Sequence, residues 1–471
     1  MDNKLEKKYG LFMAICMVVG IAIGSGVFFK AQDMLNYTGG NVWLGVLAWL
    51  LGGAVMIICA AVFANFATKY EKVNGLVDYS EAIVGKKYGL FMGWFVSTIY
   101  YPAMTGVLAW VSARYTLVLF GSTEITGGLC MALAGTYLIA IYALNTLSPK
   151  LSAKFHISST VIKLIPLVIM IIVGSIVGLV NGNTIEAFKA ASSSTASGSL
   201  FAAICAGAFA YEGWIIATSI NSEVKDAKKN LPIALVLGTA IIMLVYILYF
   251  IALTGGASID SLISEGSTKA FTNIFGSIGG TILNAFIVIS CLGTLNGLMV
   301  ACTRGMYSIS IRMNNKRAEF INQVDKASNM PTNSSIIGLL LAALWCFYFY
   351  AANLNSTPLF GVFSFDSSEL PIITIYGMYL PIFVMFIVKE GKKNIFKNIV
   401  LPVLAIIASL FMIFCAVYAH GVLPYLKGLE SGTFSFPILF YLIIFVVIMG
   451  IGVLYMFTGK NKENEVKTEQ E

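Results

Sequence analysis

Long apolar stretches recur along the whole chain, each about as long as a helix that crosses a lipid bilayer. A transmembrane helix needs roughly 20 consecutive apolar residues, and unbroken runs of this length differ from the alternating pattern of barrel strands. The pattern therefore predicts an all-α polytopic membrane protein with 12 transmembrane helices. The predicted spans are residues 11–36, 43–68, 89–120, 127–146, 157–180, 199–220, 233–253, 279–308, 335–352, 370–388, 398–419 and 436–457.

Composition agrees with this pattern. The chain has 471 residues, of which 58% are hydrophobic and 11% are charged. Soluble domains carry about 25% charged residues, so a soluble protein of this length is excluded. The polar ends, residues 1–10 and 458–471, are too short to be domains, and we expect them to be cytoplasmic tails.

Basic residues indicate how the chain is oriented. With the N-terminus in the cytoplasm, 24 of the 30 lysines and arginines fall in cytoplasmic loops and tails, five fall outside, and Lys163 lies within a span. Cytoplasmic loops of membrane proteins carry an excess of Lys and Arg. We therefore expect both termini on the cytoplasmic side of a plasma membrane, that of a bacterium. The five predicted outer residues are Lys30, Arg114, Lys189, Lys269 and Lys427.

Two of the predicted spans contain an interruption. The first span includes GIAIGSGVFFK, residues 20–30, with three glycines, and glycine is the poorest helix former after proline. The sixth span includes AFAYEGWIIATS, residues 208–219, which places Glu212 and Gly213 in the middle of a membrane segment. The interruptions lie at matching places, because these spans are five apart and begin on opposite sides of the membrane.

Matched interruptions in inverted halves of a chain indicate a transporter substrate site. Unwound backbone is tolerated at membrane depth only where it is buried or lines a polar cavity. A break leaves free N–H groups on one half-helix and free C=O groups on the other, which suit an anionic and a cationic group respectively. A free amino acid carries one of each. Close helix packing through Gly20 and Gly24 is the structural alternative, and the matching break in span six favours the site.

Three motifs resemble the amino acid–polyamine–organocation permeases. They are GIAIGSGVFF in span one, FAYEGW followed by NSEVKDAKKNLPIAL at span six, and CLGTLNGLMVACTRGMYSISIR in span eight. Within that superfamily the chain looks most like the L-type amino acid transporters and their bacterial serine/threonine and alanine-serine-cysteine exchangers. The resemblance implies a LeuT-like five-plus-five inverted repeat with helices 1 and 6 broken, followed by two further helices. The corresponding segments are 11–180, 199–388 and 398–457.

The same resemblance implies a substrate site made largely of backbone. The substrate carboxylate would bind the N–H groups of Ser25 and Gly26, and the amino group would meet the carbonyls of Ala22, Phe209 and Ala210. Phe209 would also close over the substrate from the outside. The expected substrate-binding residues are Ala22, Gly24, Ser25, Gly26, Phe209, Ala210, Glu212 and Gly213.

Lys163 lies within span five, where an unpaired ammonium would cost several kcal/mol. By resemblance it occupies the place of a bound sodium ion in related transporters and bridges spans one and eight, which implies sodium-independent transport. A coupling proton carried by this lysine is an open alternative, and so is an ammonium that reaches the membrane surface.

Glu212 and Tyr246 each leave two interpretations open. Glu212 either caps the half-helix that begins near Gly213 or stands in the cavity and selects for substrate charge. Tyr246 either supplies a polar partner near the break in span one, as the resemblance suggests, or is an ordinary core aromatic residue.

Nothing in the sequence indicates an enzyme or a cofactor. P-loop, HExxH and GxSxG motifs are absent, the eight cysteines form no CxxC pair, and we expect no disulfide or metal ligand among them. His156 and His420 have no acidic partner in a recognisable pattern, and Arg304 and Arg312 are expected to stabilise an inner gate.

The sequence therefore favours a sodium-independent exchanger of small neutral L-amino acids that works by alternating access. A proton-coupled symporter and an exchanger of cationic amino acids remain the alternatives. The expected partners are amino acid substrates and the lipid bilayer, without nucleic acid or an obligate protein partner.

Overall fold

The computed structural model describes residues 10–24, 26–70, 75–193, 199–216, 218, 224–313, 315–325, 330–354 and 357–457. Within these ranges the chain forms 19 α-helices and several short π-helical and 3₁₀ turns. In chain order the α-helices are α1 Leu11–Ala22, α2 Gly26–Tyr37, α3 Val42–Lys69, α4 Leu76–Ile83, α5 Lys86–Phe95, α6 Tyr101–Leu119, α7 Gly128–Leu147, α8 Pro149–Val180, α9 Asn183–Ser193, α10 Leu200–Tyr211, α11 Ala227–Gly256, α12 Ile259–Glu265, α13 Ser267–Ser310, α14 Lys316–Ile321, α15 Thr332–Phe349, α16 Leu370–Glu390, α17 Leu401–Val417, α18 Leu423–Ser431 and α19 Pro437–Phe457. The π-helical turns are Val96–Tyr100, Tyr350–Leu354, Phe396–Val400 and Tyr418–Val422.

The helices bear out the prediction of an all-α, membrane-spanning chain. In the described ranges, nine helical segments are long and apolar enough to cross a membrane, and α1 with α2 makes a tenth if these two helices, bent by 48°, form one span. The two other predicted spans, 89–120 and 199–220, correspond to α5–α6 and to the short apolar helix α10. The full count of twelve stays a prediction.

Several helices extend beyond their predicted spans. Helix α8 begins at Pro149 rather than at residue 157, with proline in its first turn, where the missing N–H is not needed. Helix α13 begins at Ser267 rather than at residue 279, and Gly276 interrupts it with a φ of +76°. Hydropathy locates the apolar part of a helix but not its polar extension into a loop.

Helix packing places the interruptions at the centre of the molecule. Helix α1 packs against α11, α2 packs against α10, and α10 also packs against α3. Small residues allow close approach elsewhere: a Cβ atom on Gly255 of α11 would lie 2.1 Å from the Gly174 carbonyl of α8. Membrane helices use such small-residue contacts because backbones can then approach closely.

Apolar side chains face outward on the peripheral helices. Ile169, Ile172 and Ile176 on α8 and Val446 and Leu454 on α19 are exposed. A bilayer solvates such surfaces as well as a protein core does. The chain is therefore a multi-pass membrane protein.

Candidate functional site

The first helical interruption lies between α1 and α2. Helix α1 ends at Ala22, Ile23 is extended with φ −70° and ψ 100°, and α2 begins at Gly26. The last carbonyls of α1 and the first N–H groups of α2 are therefore at helix ends, where no intrahelical partner exists. Ser25, one of the predicted carboxylate-binding residues, lies outside the described residues.

The second interruption follows α10, which ends at Tyr211. Glu212 is extended, Gly213 has a φ of +104°, and residues 214–216 form a single 3₁₀ turn. An L side chain rarely adopts the conformation of Gly213. The chain thus leaves helical geometry at Glu212 and Gly213.

The two interruptions touch. A Cβ atom on Gly26 would lie 2.6 Å from the Cα of Ala210, and one on Gly213 would lie 3.1 Å from the carbonyl oxygen of Ile21. These contacts require glycine. Gly20 does not take part in this contact. It lies inside α1 against the Thr160 side chain of α8, as expected for a glycine that allows two helices to pack closely.

A small cavity of about 30 Å³ lies at this contact, and we call it the central cavity. A water molecule needs roughly 10–15 Å³, so the cavity has room for only about two or three water molecules in this conformation. Six of the predicted site residues line it, and Ala210 contacts one of them, Gly26. The six are Ala22, Gly24, Gly26, Phe209, Glu212 and Gly213.

The sequence analysis did not identify the opposite wall. Tyr100, Met104 and Leu108 of the third predicted span and Thr294 and Leu298 of α13 complete the central cavity. The only signal for these residues in the sequence was their helical spacing within a uniformly apolar stretch. Such spacing does not distinguish residues that line a cavity from residues of a packed core. The wall is apolar apart from the Tyr100 and Thr294 hydroxyls.

Glu212 has a specific partner. The Tyr100 hydroxyl donates a hydrogen bond to the Glu212 carboxylate, and both residues are buried. Tyr100 lies in the π-helical turn between α5 and α6, and π turns often occur at functional sites. The carboxylate therefore lines the central cavity with one oxygen already engaged.

Lys163 and Tyr246 both reach the carbonyls at the end of α1. The Lys163 ammonium is fully buried and donates a hydrogen bond to the Gly20 carbonyl. The Tyr246 hydroxyl lies 2.8 Å from the Ala210 carbonyl and 3.3 Å from the Ala22 carbonyl. Tyr246 thus joins the end of α1 to the end of α10 through two of the three carbonyls predicted to face a substrate amine.

A buried group of charged and polar side chains, which we call the Lys30 cluster, lies beside the cavity. The Lys30 ammonium is 2.7 Å from Glu369 Oε1 and 3.3 Å from Asp33 Oδ2. The other oxygen, Glu369 Oε2, is 3.0 Å from His420 Nε2 and 3.5 Å from Cys205 Sγ. The Lys30 cluster ties α2 to α10, to the start of α16 and to the π-helical turn at 418–422.

The Lys30 cluster adds to one expectation and corrects another. Lys30, counted among the five outer basic residues, is 4% exposed, and Glu369 neutralises its charge inside the protein. His420, for which the sequence offered no acidic partner, contacts Glu369. A carboxylate 51 residues away along the chain leaves no local signal.

Phe209 lies between the central cavity and the Lys30 cluster. Its ring centroid is 5.3 Å from that of Phe29 and 5.7 Å from the Lys30 ammonium. The predicted closing residue is thus held by an aromatic ring and a cation, both from α2.

The thiol, carboxylate and imidazole of Cys205, Glu369 and His420 lie within 4.8 Å of one another, as metal ligands would. The Lys30 ammonium, however, holds the same carboxylate. A fixed cation at this distance repels a metal ion, so we interpret the group as an ion-pair cluster.

A second ion-pair group lies at the C-terminal end of α13. The Arg312 guanidinium contacts Asp78 and lies 2.8 Å from Glu81 Oε2, which joins α13 to α4. Arg304, expected to act with it, is exposed. His156 contacts the Gly293 carbonyl of α13 at 3.3 Å.

The sequence and the fold both match known proteins. Residues 9–458 match the family described as amino acid permease. The chain is 30% identical to the serine/threonine exchanger SteT of Bacillus subtilis (strain 168), covering 88% of this chain and 91% of the relative. It is 25% identical to the b(0,+)-type amino acid transporter 1 of Mus musculus, covering 90% of this chain and 85% of the relative. The relatives are transporters and exchangers, not enzymes.

The solved structure of MhsT in complex with L-phenylalanine aligns with a TM-score of 0.56 and 14% identity, covering 86% of this chain and 98% of that one. At this identity the likeness concerns the fold, which is the LeuT-like arrangement of helices.

Proposed function

Because the chain belongs to the amino acid permease family, we propose that it exchanges small neutral L-amino acids of the alanine, serine, threonine and cysteine class without sodium. The observation that carries this proposal is the contact between the two helical interruptions. It brings the last carbonyls of α1 and α10, which have no partner within their own helices, and the N–H end of α2 close to one cavity. A zwitterionic α-amino acid has the two charges that these groups bind.

In the proposed binding mode the substrate carboxylate lies at the start of α2, near Gly26, and Ser25 adds its N–H and hydroxyl. The ammonium meets the carbonyls of Ala22, Phe209 and Ala210. Tyr246 holds two of these carbonyls in the present conformation. When a substrate binds, the Tyr246 hydroxyl must therefore move away from these carbonyls or share them with the substrate ammonium.

The small size and apolar lining of the central cavity support a small neutral side chain. Met104, Leu108 and Leu298 leave no charge on the wall opposite the interruptions, and the Thr294 hydroxyl is one polar group available to a serine or threonine side chain. The name of the Bacillus subtilis relative points to the same substrates.

The proposed architecture has twelve spans, with residues 11–180 and 199–388 as inverted repeats, 398–457 as two added helices, and both termini in the cytoplasm. The distribution of 24 basic residues against five supports this orientation. Alternating access would move α2 and the end of α10 relative to α3 and α13. The Lys30 cluster would close one side and the ion pairs of Arg312 the other.

Sodium independence rests on Lys163. Its ammonium provides a fixed positive charge at the Gly20 carbonyl, where a cation would otherwise be needed to compensate a free helix end. Proton symport is the second candidate, since a lysine in this place also carries an exchangeable proton.

Exchange of cationic amino acids is a third candidate, because the Glu212 carboxylate lines the central cavity. The hydrogen bond from the Tyr100 hydroxyl weakens this candidate, since it occupies one oxygen of the Glu212 carboxylate.

Purified protein in proteoliposomes tests the proposal. We expect rapid uptake of tritiated L-serine into vesicles preloaded with unlabelled L-serine, little uptake into empty vesicles, and no change when choline replaces sodium. Uptake into empty vesicles that disappears when the proton gradient is dissipated would establish symport. Stronger competition by L-arginine than by L-alanine would establish the cationic alternative.

A further inference from the structure

His420 shares its carboxylate partner with Lys30. Glu369 Oε1 lies 2.7 Å from the Lys30 ammonium, and Glu369 Oε2 lies 3.0 Å from His420 Nε2. The Lys30 and Glu369 side chains are buried, and the His420 side chain is 12% exposed. One buried carboxylate therefore has two basic partners, and the histidine is charged only when it carries a second proton.

The two partners come from different parts of the fold. Lys30 lies on α2, which begins at the central cavity with Gly26. Glu369 is the residue before α16, and His420 lies in the π-helical turn that follows α17. Helix α16 packs against α17, so Glu369 and His420 are expected to stay together when α2 moves. Lys30 is then the partner that leaves when the outer side of the central cavity opens.

The other charges near His420 are negative. Asp33 of α2 lies 3.3 Å from the Lys30 ammonium, and the Asp366 carboxylate, three residues before Glu369, also acts on the imidazole. Helices α17 and α19 contain no charged residue, and Lys427 and Glu430 of α18 are exposed. The uncharged titratable residues on the neighbouring elements include Tyr37 of α2, Cys205 of α10, Cys415 of α17, Tyr418 of the turn, Tyr425 of α18 and Tyr441 of α19. Among the described residues, Lys30 and His420 are the basic groups that pair with Glu369.

We propose that His420 is a positioning residue that controls how easily the outer side of the central cavity opens. With a neutral imidazole, withdrawal of Lys30 leaves the Glu369 carboxylate without a cation, and a lone buried charge is costly. With a protonated imidazole, His420 takes over the carboxylate as Lys30 leaves. Opening on this side therefore becomes easier as the pH falls through the range in which His420 gains its proton.

Phe209 links the Lys30 cluster to the substrate site. The Lys30 ammonium lies 5.7 Å from the Phe209 ring centroid, and Phe209 lines the central cavity. Movement of Lys30 therefore reaches the residue proposed to close over the substrate. The inference rests on the proposed exchange and goes beyond it, because alternating access needs an outer closure but no proton that controls it. It differs from proton symport, since His420 binds and releases its proton on one side of the membrane.

Thermal unfolding in detergent tests this change of partner without relying on transport. Lys30→Gln removes the lysine and leaves Glu369 to His420 alone. We expect the substitution to lower the melting temperature strongly at about pH 8, where the imidazole is neutral, and clearly less at about pH 5.5, where it is charged. In a His420→Gln background the loss should be the same at both pH values, because the glutamine amide donates a hydrogen bond but takes up no proton.

Exchange of tritiated L-serine in proteoliposomes, with the same pH on both sides, tests the consequence without a proton gradient. We expect the wild-type rate to rise by about fivefold or more between about pH 8 and pH 5.5, the lower range of coupling between linked sites. His420→Gln should lose this rise, and His420→Lys should exchange rapidly at both pH values. His156→Gln is the matched control and should keep the rise, because His156 is the other histidine of the chain and contacts the Gly293 carbonyl instead.

The proposal is overturned if Lys30→Gln lowers the melting temperature equally at both pH values, or if His420→Gln keeps the wild-type rise in exchange. It is also overturned if EDTA abolishes that rise, since a metal ion rather than a proton would then occupy the Lys30 cluster. In each of these cases exchange of L-serine persists, so the proposed function survives. Absence of L-serine exchange at every pH would overturn the proposed function, and the unfolding measurements would still decide the role of His420.

Discussion

The Lys30 ammonium lies 2.7 Å from the Glu369 carboxylate, although 339 residues separate the two along the chain. Both side chains are buried, and each has further partners in Asp33 and His420. A buried ion pair is a weak source of stability overall, but the loss of one partner leaves an uncompensated charge. The pair therefore holds α2 to the start of α16 in this conformation.

We expect Glu369→Gln to lower the free energy of unfolding by about 3–5 kcal/mol, because it leaves the Lys30 ammonium buried without its carboxylate. Thermal unfolding in detergent measures the change. Glu430→Gln, at an exposed position on α18, is the control. The exchanged pair Lys30→Glu with Glu369→Lys should recover part of the loss, and equal stability of Glu369→Gln and the control would contradict the assigned role.

Replacement of Lys163 should affect turnover more than binding. Lys163→Ala removes the ammonium from the Gly20 carbonyl, and a hydrogen bond to a charged group is worth about 1.5–3 kcal/mol, so we expect exchange of L-serine to slow by about tenfold or more. Binding of L-serine should remain measurable. Lys154→Ala changes an exposed lysine on the same helix and should exchange normally. Unchanged turnover in Lys163→Ala would show that Lys163 has a purely structural role.

The Tyr246 hydroxyl should stabilise the substrate-free protein. Tyr246→Phe leaves the Ala22 and Ala210 carbonyls without this donor, which should lower the free energy of unfolding by about 1–3 kcal/mol. A substrate ammonium would replace the lost donor, so L-serine should raise the melting temperature of the variant more than that of wild type. Tyr379→Phe is the matched control, since the buried Tyr379 hydroxyl has no hydrogen-bond partner among the described residues. The same response to L-serine in all three proteins would show that the carbonyls do not meet the ligand.

Gly26 should tolerate no side chain. In Gly26→Ala the new methyl group would lie 2.6 Å from the Ala210 backbone, so α2 and α10 must separate, at a cost of about 1–3 kcal/mol and with loss of exchange. Gly135→Ala adds the same methyl group where no heavy atom lies within 4 Å, and it should be neutral or slightly stabilising. Normal exchange by Gly26→Ala would mean that the two interruptions need not touch.

Local sequence determined the all-helical, membrane-spanning class, and it predicts where the two interruptions lie. Hydropathy over about 20 residues decides whether a segment enters the bilayer, and glycine and a mid-membrane acid weaken a helix wherever they occur. The motifs around Gly24 and Glu212 could therefore be located without knowledge of their neighbours. The resemblance then assigned roles to backbone groups, which depend little on the side chains around them.

Only the tertiary structure decided which side chains meet. Tyr100 reaches Glu212, and Lys30 reaches Glu369, across helices whose relative positions depend on packing over the whole chain. No local propensity encodes such contacts, because an apolar helix offers many equivalent faces and a charge gives no sign of its partner. Local sequence thus determines where the helices are weak, and the packing of the helices around the central cavity determines what those weak points touch.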